Sequence, residues 1–301
     1  MDFVYPLLRF AHYALLVGLF GIIAFRCFGL RRVMHHRPRQ IGRGTAFGTF
    51  AAFLVSIALM WVSVAAMMAL PIAQVEWATV KAIIFTTDMG WAFLARTGAL
   101  LAAAVICTLF ARAKHAHVFA AALLGLALAS LAYNGHAAAS EGMWGIIHRL
   151  NDAMHLLAGG LWLGAIGWFL HLTISAHRQH NVRAGPLLAD MHKFAPLGAF
   201  LVALVAVTGA INAQLIFGIQ NSVAVVQTNY GWLLALKVLL VCLMLVFGAR
   251  NAWIGRKHIL SSNERTNLAR LRVSLGAELV MAVLVIGLMA FIGMMSPMGD
   301  Q

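Results

Sequence analysis

Three imidazoles, one carboxylate and two amides crowd one short stretch of this chain. Tyr133-Asn134-Gly135-His136 is followed by His148-Arg149-Leu150-Asn151-Asp152-Ala153-Met154-His155 and then by Gly159-Gly160-Leu161-Trp162-Leu163-Gly164. His148, Asp152 and His155 are spaced i, i+4, i+7, which on a helix places them on one face within a wedge of about 60°. The run that follows is apolar, so the deep part of this face is not a solvated stripe. Ionisable groups are expensive inside a bilayer, and where they occur they usually handle an ion, a proton or a cofactor. Imidazole is the commonest metal ligand, and a nearby carboxylate can orient it or neutralise charge, so these residue types favour a transition metal. His148 and Asp152 can sit wet at the interface. His155 lies roughly 13 Å inside the span at 1.5 Å per residue, where only protein can satisfy it.

Other residues can join this set. His12, in Arg9-Phe10-Ala11-His12-Tyr13, lies in the outer third of the first apolar run at a depth similar to Asp152 and His155. His136 opens an outward loop and can cover the site or receive metal from outside. Met67, Met68, Met143, Met294, Met295 and Met298 all fall on the outward side. Thioethers are soft ligands that select Cu(I), while imidazole accepts Cu(I) and Cu(II); most methionines in a membrane chain are packing residues. Asn212 is placed to complete the upper site. Glu278 enters its helix from the opposite end, where it can form a second station, carry protons, or pair with Lys237 or an amide. Paired His35-His36 and His115-x-His117 lie among arginines, whose charge opposes cation binding. Cys27, Cys107 and Cys242 are far apart in apolar segments without C-x-x-C spacing, and read as small hydrophobes.

The elements that hold these side chains are membrane helices. Charged residues make up only 10% of 301 positions and hydrophobic ones 62%, against roughly 25% charged in a soluble domain. Each span needs about 20 apolar residues, and eight such runs are present, at about 6–29, 46–70, 91–111, 118–134, 147–173, 194–217, 230–251 and 272–295. The expectation is an all-α polytopic bundle, one transmembrane domain over residues 1–301, in contact with membrane lipid. The first run is too long, and lacks the small-residue cleavage site, for a removed signal peptide. No fixed-period repeat stands out. Ala73–Gly90 reads as the longest outward loop with Trp77 and Trp91 as interfacial anchors, Gly135–Ile146 as the next, and Pro196 as a first-turn residue of the sixth span.

The net charge of +13 is a matter of topology rather than of nucleic-acid binding. Seventeen of the 22 Lys and Arg fall on alternate connections: Arg26 to Arg43, Arg112 and Lys114, Arg178 to Lys193, and Arg250 to Arg272. The positive-inside rule assigns those connections to the cytoplasm and both termini to the periplasm. No P-loop or ATPase signature is present, so solute movement relies on a gradient or a partner, and no enzyme activity is expected.

These residues carry a family resemblance. Asn134-Gly135-His136-Ala137, the His148-x-x-Asn-Asp-x-x-His155 block running into Gly-Gly-Leu-Trp-Leu-Gly, Thr208-Gly209-x-x-Asn212 and Thr228-x-Tyr230-Gly231-Trp232-Leu233-x-x-Leu-Lys237, closing with Arg250-Asn251, resemble the copper-resistance protein D (CopD) family of bacterial inner-membrane proteins. The resemblance implies an eight-helix protein that moves copper inward across the inner membrane, with a small periplasmic CopC-type copper-binding protein as partner. Because the chain starts straight into a helix, that partner is expected as a separate protein.

Three functional readings follow. The first is a copper permease with His12, His136, His148, Asp152 and His155 as its outer site and Glu278 as a lower step. The second is a b-type haem cytochrome with His12 and His155 as axial ligands at matching depth. The third is a copper-binding maturation or scaffold protein without transport.

Overall fold

Backbone polar groups in lipid have no water to bond, so apolar runs of membrane length must close their hydrogen bonds internally as helices. The computed structural model describes residues 3–29, 41–135, 137, 140–179, 184–258 and 264–297; His136, Met298, His35 and His36 lie outside the described residues. Among those residues there are helices and turns and no strand. They are α1 (Val4–Ala24, continued by a π-turn over Phe25–Gly29), α2 (Arg43–Met67), α3 (Trp77–Thr86), α4 (Asp88–Leu109) and α5 (Ala116–Ala129, extended by a 3-10 turn over Ser130–Tyr133). Then come α6 (Gly142–Gln179), α7 (Ala184–Ile216), the short α8 (Ser222–Val226), α9 (Asn229–His258) and α10 (Glu264–Ile292).

Eight of these are long and apolar enough to cross a membrane, each overlapping a span expected from the sequence. Eight crossings bring residues 3 and 297 out on the same side. Mean hydropathy sets where a helix lies but not its exact ends. Thus α6 starts at Gly142 and takes up part of the expected Gly135–Ile146 loop.

The spans close into two rings. In the first, α1 packs on α2, α2 on α4, α4 on α5 and α5 back on α1; in the second, α6, α7, α9 and α10 do the same. Each ring has its own apolar core, one around Leu16, Leu100 and Leu124, the other around Leu188, Met244 and Leu271. The rings join chiefly through α1 against α6, with α10 also touching α1 and α5 touching α6. Small residues permit that central contact. A Cβ on Gly21 would overlap the backbone of Gly160 and press on Gly164, and one on Gly164 would overlap the backbone of Gly21.

Two sequence expectations are corrected. The Ala73–Gly90 loop contains α3, which packs on α2 and α4 and stacks Trp77 on Trp61 at 6.1 Å between ring centroids. A helix of ten residues is too short to span, so it lies along the end of the bundle, with Trp77 and Trp91 both exposed. Pro196 lies inside α7 and not in its first turn, because α7 begins at Ala184. The arrangement of the first ring is repeated in the second, without a fixed period in the sequence.

Candidate metal site

The contact of Gly21 with Gly160 and Gly164 sets the register of α1 on α6. Both helices run in the same direction as first and fifth spans, so moving nine residues up each brings His12 level with 151–155. Tyr13 lies within electrostatic range of Asp152, which agrees with that register. His12 and His155 therefore stand at one depth, on opposite sides of the junction between the rings.

Asp152 and His155 face the same stretch of α7. His155 Nδ1 lies 3.0 Å from Thr208 Oγ1, and Gly209 leaves room for the imidazole, since a Cβ there would come to 3.3 Å from Cε1. One turn above, Asn212 Nδ2 donates to Asp152 Oδ1 at 2.9 Å. Asn151 Nδ2 donates to Asn212 Oδ1 at 2.7 Å and to the Thr208 carbonyl at 2.8 Å. Lys237, reaching in from α9, acts electrostatically on both Asp152 and His155. Asn151, Asp152 and His155 of α6 and Thr208 and Asn212 of α7 thus form a polar network in an otherwise apolar ring. Amide and hydroxyl partners of this kind satisfy buried polar groups and fix their orientation.

His12 belongs to a separate cluster. Its Nε2 lies 2.7 Å from Ser56 Oγ on α2, and Ser56 in turn donates to the Ala52 carbonyl at 2.8 Å. Arg9 and Arg96 both act on it electrostatically. His148 leaves the face it was expected to share: its Nδ1 is 3.0 Å from Ser140 Oγ, at the loop that precedes α6. The i, i+4, i+7 spacing aligned the three residues on the helix but did not dictate which neighbour each would meet.

Among the described residues, no group of three or more His, Cys, Asp or Glu side chains is gathered as a metal-holding set. His12, Asp152 and His155 are brought to one level, yet each is held by a neutral partner, Ser56, Asn212 or Thr208. Met67, Met68, Met143 and Met294 are exposed and Met295 is partly buried. Glu278 is buried and accepts from Asn251 Nδ2, so the amide partner holds, while Lys237 lies within electrostatic range of Asp152. Cys27 and Cys107 are buried, Cys242 is exposed, and none forms a disulfide.

Sequence reasoning missed Ser56 and Arg96. A lone Ser in an apolar helix usually bonds its own i−4 carbonyl and gives no signal, as Ser56 also does. Arg96 could have been found as a guanidinium six residues inside the expected 91–111 span, where a charge itself marks function.

Comparison with known proteins shows the family. The copper resistance protein D-like N-terminal domain family matches residues 1–146, and the copper resistance protein D family matches residues 188–292. The chain is 32% identical over 301 aligned residues, 96% of its length and 95% of the relative's, to copper resistance protein D of Pseudomonas syringae pv. tomato. It is also 32% identical over 127 residues, 41% of each chain, to the inner membrane protein YebZ of Escherichia coli strain K12. No solved structure matches. With eight apolar spans and full-length similarity to a named member, this multi-pass inner-membrane chain belongs to the copper resistance protein D family.

Proposed function

We propose that this protein carries copper across the inner membrane, from periplasm to cytoplasm, through a His/Asp site in the outer half of the bundle. The observation that carries the reading is the placement of Asp152 and His155, one turn apart, on the Thr208–Asn212 stretch of α7 in a copper-resistance family member. His12 enters from the other ring at the same depth. In the orientation that the positive-inside rule assigns, Met67, Met68, Met143, Met294 and Met295, with His148, lie on the receiving side, where a periplasmic CopC-type protein delivers the ion. Asn212 steadies the carboxylate, and Glu278 with Asn251 forms a lower station.

A transport site must admit an ion and release it. Side chains held apart by Ser56, Thr208 and Asn212 until an ion draws them together suit that need better than a closed cage. Imidazole and carboxylate take Cu(II), and imidazole with thioether takes Cu(I). The protein is a carrier rather than an enzyme, and no residue is assigned a catalytic role.

A second reading, a b-type haem protein, is favoured by one feature: His12 and His155 come from different rings at one level, as two axial ligands would. An absorbance spectrum and total-metal analysis of the purified protein, repeated on His155→Ala, decide between them. Colourless protein that holds copper, lost in the variant, supports the carrier. A Soret band lost in the variant makes this a haem protein. Copper bound without flux in sealed vesicles would point to a maturation factor.

A further inference from the structure

The two rings match in their polar residues, and at one position the match reverses charge. His12 and Gly21 on α1 correspond to His155 and Gly164 on α6, nine residues apart in each case. Ser56, bonded back to Ala52 and facing His12, corresponds to Thr208, bonded back to Leu204 and facing His155. Thr87-Asp88-Met89-Gly90-Trp91 with Arg96 five residues on corresponds to Thr228-Asn229-Tyr230-Gly231-Trp232 with Lys237. In both, the threonine hydroxyl accepts from the glycine N–H, at 3.0 and 3.1 Å. Three residues before the histidine, the second ring has Asp152 and the first has Arg9.

The second ring therefore sets Lys237 against a carboxylate, and the first sets two guanidiniums around His12 and Tyr13. Arg9 and Arg96 are 7% and 3% exposed. Arg9 Nε donates to the Ala290 carbonyl at 3.1 Å, and its guanidinium lies 5.7 and 5.9 Å from the ring centroids of Tyr5 and Tyr13. Arg96 has no such partners: its Nε and Nη1, like His12 Nδ1, make no hydrogen bond among the described residues. No carboxylate there acts on Arg96. Asp152 reaches Tyr13 but is engaged by Asn212 and Lys237. Buried cations without a counter-charge are costly, above all at membrane depth.

We propose that Arg96 and Arg9, beside His12, form an anion site that is the charge-reversed counterpart of the Asp152–Lys237 pair, and that it takes a small monovalent anion of the halide class. Arg96 sits eight residues into α4, roughly 12 Å from its start, away from lipid phosphates at the surface. The planar guanidinium, with Nε and Nη1 unpaired, can hold a single anion through charge-assisted bonds. The assignment stands on the repeat and its charges, independently of copper.

The test is chloride titration of the full-length, copper-free protein in neutral detergent, with gluconate replacing chloride at constant ionic strength and thermal unfolding as readout. Chloride is expected to raise the Tm saturably. In Arg96→Gln the half-saturating concentration should rise at least about ten-fold, the loss of one charge-assisted contact, and Arg96→Lys should recover most of the affinity. Arg9→Gln supplies the same reading if Arg96→Gln does not fold. The exposed Lys81→Gln should keep the wild-type half-saturating concentration. No saturable response in the wild type, an equal response in Arg96→Gln, or an equal loss in Lys81→Gln would each overturn the proposal.

Discussion

Gly21 of α1 and Gly164 of α6 meet backbone against backbone, so that a Cβ added to Gly164 would overlap Gly21 and one added to Gly21 would overlap Gly160 and press on Gly164. That contact joins the two rings and sets His12 level with His155. Replacing Gly164 with Leu should therefore cost about 1–3 kcal/mol or prevent assembly of the bundle, since overpacking a tight contact forces the backbone to move. Gly159→Leu, on the same helix with open space at its Cβ position, should be tolerated. Thermal unfolding of the two purified variants checks this; equal losses would mean the glycine contact is not the junction described.

Asn212 links two partners, accepting from Asn151 and donating to Asp152. Asn212→Leu leaves a part-buried carboxylate oxygen and an amide without their partner, at a cost of about 1 kcal/mol. Copper affinity should fall with it, because Asp152 is no longer steadied. Unfolding and copper titration of Asn212→Leu against Asn212→Asp separate the loss of a partner from a change in charge: Asn212→Asp should lose stability while retaining acceptor groups near the metal. Unchanged copper affinity in Asn212→Leu would remove Asn212 from the site.

Thr87 and Thr228 cap α4 and α9 in the same way, each hydroxyl accepting from the N–H three residues on. Thr87→Val and Thr228→Val should each destabilise by about 1 kcal/mol, and by similar amounts, as loss of an N-cap does. A large effect at one threonine and none at the other would contradict the equivalence of the two rings.

The eight spans were legible because lipid demands long apolar runs and the sequence supplies them with few interruptions. Helix α3 was not, since a ten-residue stretch beside two tryptophans looks the same whether it lies flat or forms a loop. The repeat escaped for a physical reason also. His12 and His155 are 143 positions apart, Ser56 and Thr208 are 152, and Thr87 and Thr228 are 141. The unequal connections leave no fixed period, and only packing aligns the halves. Asp152 and His155 were found from their spacing, and both do meet α7 together. His148 was aligned with them by the same spacing and turns to Ser140, because helical periodicity fixes a face and says nothing of what covers it.

Uptake of copper into sealed membrane vesicles carrying the protein in its native orientation, compared between the wild type, His155→Ala, and His35→Ala with His36→Ala, tests the central claim most directly. The two paired histidines lie among arginines that repel a cation, so their replacement should leave uptake near the wild-type rate. His155→Ala should reduce it to the level of vesicles without the protein. Wild-type uptake in His155→Ala, or equal losses in both variants, would contradict a copper path through the outer half of the bundle.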